Sequence, residues 1–140
     1  MRILLDTNVV LDFILQRTDF YSDANDIFIR MQSLEFQAYV TSITPINAFY
    51  TAKKEIGREA AFETVENLIS LVEICNTDKD VLIDAFSLNF ADYEDAVQCA
   101  SAIAAGLDGI ITRDRVGYLK SPMPVYSPAE FLEILQNQTA

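Results

Sequence analysis

The stretch RILLDTNVVLDFIL, residues 2–15, begins as an unbroken apolar run, turns polar at Asp6, Thr7 and Asn8, and then resumes apolar residues at mixed spacing. That order reads as strand, turn and helix, with Asp6 at the carboxyl end of the strand. The same grammar returns near the other end of the chain. Gly109, Ile110, Ile111 and Thr112 read as a strand that runs into Arg113 and Asp114. Both strands therefore deliver a hydroxyl and a carboxylate to the place where they end.

Between and around these two turns the pattern alternates. Ala24, Ile27, Phe28, Met31 and Leu34 recur at three and four, which predicts a helix over 21–34 begun near Ser22. Residues 36–41 read as a second strand. Thr44 and Pro45 read as the start of a helix, with a capping hydroxyl and a proline at the first helical position, and Gly57 ends it. Further helices are expected over 58–71, over 81–88 behind Asp78 or Asp80, over 92–105, and from Ser127 and Pro128 onward. Short strands are expected at 72–75 and around Val125. Strands that alternate with helices need helical crossovers, so the fold class is an α/β sandwich with a mainly parallel sheet, spanning residues 1–140 as one domain with no linker or repeat. Such sheets bind ligands beyond the carboxyl ends of their strands, which singles out Asp6 and Asp114.

Composition narrows the chemistry. The 140 residues are 51% hydrophobic and contain no histidine, which excludes Ser-His-Asp and Cys-His catalysis and His-ligated zinc. Two cysteines, Cys75 and Cys99, lie in apolar stretches and predict free thiols in a reducing, cytoplasmic setting. Asp6 and Asp12 interrupt the N-terminal apolar runs, so neither a membrane span nor a signal peptide is expected. The net charge of -11 opposes polyanion binding unless cations intervene or the basic residues are gathered. Lys53, Lys54 and Arg58 form one such grouping, and Arg113, Arg115 and Lys120 another.

Several acids could converge. Asp92 and Asp95 lie three apart on one face of their helix, Asp92 in a capping position, while Glu94 is expected to point elsewhere. Thr44, Asn47 and Tyr50 form a stripe that reads as solvent-facing. Asp6, Asp95 and Asp114 at one sheet edge would repel one another without a cation, and magnesium or manganese with oxygen ligands resolves that conflict. A hard divalent ion suits phosphodiester hydrolysis.

At these residues the sequence resembles the PIN-domain family of metal-dependent ribonucleases. Leu5, Asp6, Thr7 and Asn8 look like its N-terminal signature, and its later acids map onto Asp95 within Asp92–Ala96 and Asp114 within Thr112–Asp114. The resemblance implies a five-stranded sheet of order 3-2-1-4-5, which sets the first and fourth strands side by side and makes Asp6 and Asp114 neighbours. It implies Asp6, Asp95 and Asp114 as catalytic and metal-binding residues, with Mg2+ or Mn2+ as cofactor and RNA as substrate. It also implies the toxin half of a bacterial toxin–antitoxin pair, a homodimer held by an antitoxin. The departure is Asn47, which stands where most of the family carries a glutamate. Asp92, or Asp12 beyond Asp6, would partly make up the lost charge. Thr7, Asn8, Thr112 and Arg113 are candidates to orient carboxylates and waters or to contact phosphate. The alternative is a weak or inactive PIN fold that binds RNA or a protein partner. A phosphoacceptor receiver fits less well, lacking an acid pair at the first strand end. A phosphatase with an Asp-x-Asp pair fits less well too, because Asn8 takes the second acid's place.

Overall fold

Strand β1 (Arg2–Leu5) lies at the centre of a five-stranded sheet, and this explains its apolar run. In the computed structural model, which describes residues 1–139, the strand order is β3-β2-β1-β4-β5 and every neighbouring pair is parallel. Residue 140, the last of the domain expected from the sequence, lies outside the described residues. The other strands are β2 (Gln37–Thr41), β3 (Glu73–Cys75), β4 (Gly109–Ile111) and β5 (Val125–Tyr126). On one side Ile3 pairs with Ala38, and on the other with Gly109, while Leu5 pairs with Ile111.

Because side chains alternate along a strand, Ile3 and Leu5 enter one apolar layer and Leu4 enters the other. The first layer joins Ile3 and Leu5 to helices α1 (Thr7–Ile14), α2 (Tyr21–Gln32) and α7 (Pro128–Thr139) through Val9, Val10, Ile27, Phe28, Phe131 and Leu135. The second packs Leu4 and Ile110 on α6 (Tyr93–Ala104) through Cys99 and Ala102, with α5 (Lys79–Asp84) closing over α6 through Val81. Helices α3 (Ile43–Ile56) and α4 (Arg58–Leu71) form a hairpin turned at Gly57, whose φ of +87° suits a residue without a side chain. The hairpin leans on α1 through Leu11, Ala48 and Val65. The result is a three-layer α/β/α sandwich.

Local signals place most element ends. Asp78 caps α5 by accepting from the Val81 N–H at 3.0 Å, and Asp92 caps α6 by accepting from the Asp95 N–H at 2.9 Å. One expected start is wrong. Helix α3 begins at Ile43, and Thr44 is its second residue, not its cap, because the Thr44 hydroxyl is drawn inward to Thr7 and Gln98. The expected helix over 81–88 is α5 followed by a 3₁₀ turn over Ala85–Leu88. A second 3₁₀ turn at Val116–Tyr118, not expected from the sequence, follows β4. Cys75 and Cys99 are buried free thiols. Among the described residues no helix is long and apolar enough to cross a membrane.

Candidate active site

Strands β1 and β4 leave the sheet side by side but connect onward in opposite directions, which opens a crevice at their carboxyl ends. The Asp6 N–H donates to the Ile111 carbonyl at 2.9 Å, locking the two exits together. Asp6 is only 6% exposed, so its carboxylate depends on the donors around it. It accepts from the Thr112 hydroxyl at 2.7 Å, the Thr7 N–H at 2.8 Å, Asn8 Nδ2 at 3.3 Å and Gln98 Nε2 at 3.4 Å. Burial pushes the Asp6 carboxyl above its usual range, and the bonds from Thr112 and Thr7 oppose that push.

Beneath Asp6 lies a polar knot that sequence reasoning missed. Gln98 is 0% exposed on α6, and its Oε1 accepts from the Thr41 hydroxyl at 2.6 Å. Its Nε2 faces Thr7 Oγ1 at 3.1 Å and Thr44 Oγ1 at 3.3 Å, and those two hydroxyls are 2.9 Å apart. The knot ties α1, α3, α6 and β2 to one carboxylate. A lone amide inside the otherwise apolar or small-residue run Ala96–Ala102, one turn beyond Asp95, is the signal that would have found it. Thr44, expected to face solvent, belongs to the same knot.

Asp95 and Asp114 face each other across Gly117. A Cβ built on Gly117 would lie 2.9 Å from Asp95 Oδ2 and 2.9 Å from Asp114 Oδ2, so both oxygens approach the same point. The Asp114 N–H donates to Thr112 Oγ1 at 3.0 Å, and Asp114 Oδ1 accepts from the Gly117 N–H at 3.2 Å. Thr112 thus links Asp6 to Asp114 through one hydroxyl. The Asp95 carboxyl is pushed up to about 7, first by burial and then by the negative charges of Asp6, Asp92, Asp114 and Glu94. Tyr118 is 2% exposed, and its hydroxyl is buried against the Asp6 carboxylate without a well-formed hydrogen bond. Burial and then the charges of Asp6 and Asp95 drive its pKa upward, which places that hydroxyl beside the acids.

Among the described residues no three His, Cys, Asp or Glu side chains are gathered closely enough to hold an ion unaided. The arrangement is an open mouth between two carboxylates, with a third behind them and a buried hydroxyl beneath. That suits Mg2+, which takes one or two carboxylates and keeps several waters or phosphate oxygens.

A family model described as PIN domain matches residues 2–116. The chain belongs to the PIN-domain family. Its fold is shared with a chain of VapBC2 from Rickettsia felis, a complex bound to a DNA fragment from its promoter, at 16% identity and a TM-score of 0.70, covering 91% of this chain and 98% of that one. A chain of a toxin–antitoxin complex from Klebsiella pneumoniae matches at 24% identity and a TM-score of 0.68, covering 90% and 97%. VapC20 of Mycobacterium tuberculosis, described as a sarcin–ricin loop cleaving toxin, matches at 13% identity and a TM-score of 0.62, covering 77% and 86%. The sequence matches no curated protein.

Against the acids that the PIN resemblance implied, the structure brings Asp6, Asp95 and Asp114 to one crevice. Asp92 lies at its edge, exposed and occupied with capping α6. Asp12 does not join them. It is 1% exposed and neutralised by Arg113, whose Nη2 donates to Asp12 Oδ1 at 3.3 Å, and by Arg17 at 3.7 Å. The Arg113 guanidinium also stacks 3.9 Å from the centroid of the Phe20 ring, while its backbone N–H donates to Asn8 Oδ1 at 3.2 Å. Arg113 therefore braces the loop that carries Asp114 against α1. Glu94, next to Asp95, turns to α3 and accepts from Asn47 Nδ2 at 2.8 Å.

Proposed function

We propose that this PIN domain is a divalent-metal-dependent endoribonuclease that hydrolyses RNA phosphodiester bonds and serves as the toxin of a bacterial toxin–antitoxin pair. The observation that carries this reading is the convergence of Asp95 and Asp114 on Gly117, with Asp6 fixed behind them. Asp6, Asp95 and Asp114 would hold Mg2+ or Mn2+, with Asp92 at the margin. When bound, such an ion activates water and offsets the charge of the phosphate and the leaving oxygen.

The protein's own part is positioning and charge. Four donors fix the Asp6 carboxylate so that it cannot rotate away from the crevice. Thr112 couples Asp6 to Asp114, and Asn8 holds the first turn of α1 to Asp6, Thr112 and the Arg113 backbone. Asp95, whose carboxyl is pushed up to about 7 by burial and the neighbouring acids, would release its proton as a cation enters, so ion binding would be coupled to pH. The toxin assignment is supported by the shared fold, because VapC20 is described as a sarcin–ricin loop cleaving toxin and the Klebsiella neighbour as a toxin–antitoxin complex. An antitoxin protein, a homodimeric state and a cytoplasmic setting belong to the same proposal.

The test is RNA cleavage with added Mn2+ by wild type and by Asp6→Asn, with thermal unfolding followed in parallel. Cleavage is expected to fall by about a hundredfold or more while the protein stays folded. A variant that cuts at the wild-type rate overturns the assignment. The neutral Asn47 and the net charge of -11 favour a second reading, a PIN scaffold with little catalysis that binds RNA or protein. Wild type that binds RNA without cutting it in either metal would select that reading.

A further inference from the structure

Asn47 lies on α3 at the place where the PIN resemblance expects a glutamate, and an amide brings no charge to an oxygen site. Its Nδ2, however, donates to Glu94 Oε1 at 2.8 Å across the gap between α3 and α6. Glu94 is the residue before Asp95, in the first turn of α6. The bond occupies one oxygen of the Glu94 carboxylate, leaves the other open, and fixes the side chain on the α3 side of α6.

The crevice itself is built to receive something. Gly117 leaves open the point on which Asp95 and Asp114 converge, and the Tyr118 hydroxyl, 2% exposed, lies against Asp6 without a well-formed hydrogen bond. We infer that Glu94, held by the Asn47 amide, is the fourth acidic residue of this site, a carboxylate supplied from α6 in place of the α3 glutamate. The two positions work as an exchange. A glutamate on α3 brings the charge directly, whereas asparagine there orients a charge brought from the neighbouring helix. A glutamate at 47 beside the present Glu94 would set two carboxylates against each other, so the amide and the acid are matched.

This inference rests on the metal-dependent reading above, and the test separates the two. Mn2+ is titrated by calorimetry, without RNA, into wild type, Glu94→Gln, the exchange variant Asn47→Glu with Glu94→Gln, and Glu66→Gln, an exposed carboxylate of α4, as a control for general charge. Glu94→Gln is expected to weaken Mn2+ binding about tenfold, and the exchange variant to recover to within about threefold of wild type. Glu66→Gln is expected to bind as wild type does. Thermal unfolding of each variant checks the fold, and Glu94 is exposed enough to be replaced without loss of packing. Wild-type affinity in Glu94→Gln overturns the inference and leaves the metal reading standing. An exchange variant as weak as Glu94→Gln also overturns it, because the effect would then not depend on the α3 position. Absence of Mn2+ binding in wild type overturns both.

Discussion

Asp95 shows at the residue scale how the site trades stability for chemistry. Its carboxyl titrates at about 7 in the folded protein, far above an ordinary aspartate, because burial and four neighbouring carboxylates disfavour its charge. Between the unfolded and folded values the native state holds more protons than the unfolded state, so stability falls as pH rises through that window. The window runs from about 4 to about 7 and the loss is complete above it. Asp6 and Glu94, both raised, act in the same direction. In melting curves recorded from pH 4 to 8, Asp95→Asn is therefore expected to match wild type at the acid end and to melt progressively higher toward pH 7. Saturating Mn2+ at pH 7.5 should narrow that gap, since an ion that binds only the native state raises its melting point. A constant difference across the range would assign the raised carboxyl a different origin.

At the scale of elements, the 3₁₀ turn after β4 sets the width of the crevice. Gly117 faces two carboxylate oxygens at a distance no Cβ tolerates, yet those oxygens are the free ends of side chains that can swing aside. Gly117→Ala is thus expected to fold with a melting temperature within about 3 °C of wild type, since no backbone clash is created. The shifted carboxylates no longer meet at one point, and Mn2+ affinity should drop about tenfold or more. Calorimetry beside a melting curve reads both quantities, and unchanged affinity would show that the open point at Gly117 has no part in binding. Nothing in the sequence around Val116 and Tyr118 announces this turn, because its role depends on Asp95 arriving from another helix. What was legible is local: apolar runs for β1 and β4, helical spacing for α2 and α4, and the caps Asp78 and Asp92. Thr44 and Pro45 imitate a helix start, but the hydroxyl goes to Gln98, so a tertiary contact overrode a local preference. The partner of Glu94 was hidden for a related reason. Helical spacing separates it correctly from the face of Asp92 and Asp95, yet cannot know that Asn47 of α3 stands opposite.

Over the whole molecule, the charge distribution decides how RNA can be held. The net charge is -11, and the ion pairs among the described residues engage Arg17, Arg30, Arg113 and Arg115 with carboxylates of the chain itself. Arg113, a candidate phosphate contact from sequence, is pinned between Asp12 and Phe20, and Arg115 meets Glu130 at 3.1 Å. The exposed grouping that none of these ion pairs engages is Lys53, Lys54 and Arg58 at the α3–α4 turn, where the Arg58 guanidinium lies 4.9 Å over the Phe62 ring. Three such cations would release only a few counterions from a single strand, giving a slope of log affinity against log salt no steeper than about -2. Anisotropy of a labelled RNA with the Asp6→Asn protein, over increasing potassium chloride, measures that slope. A slope beyond about -5 would require many more phosphate contacts than this surface offers, and would point to a basic partner chain completing the groove. On the proposed ribonuclease reading, a shallow slope means that phosphate attraction contributes little, and the hold on RNA would have to come from a divalent ion in the crevice and from contacts with the bases.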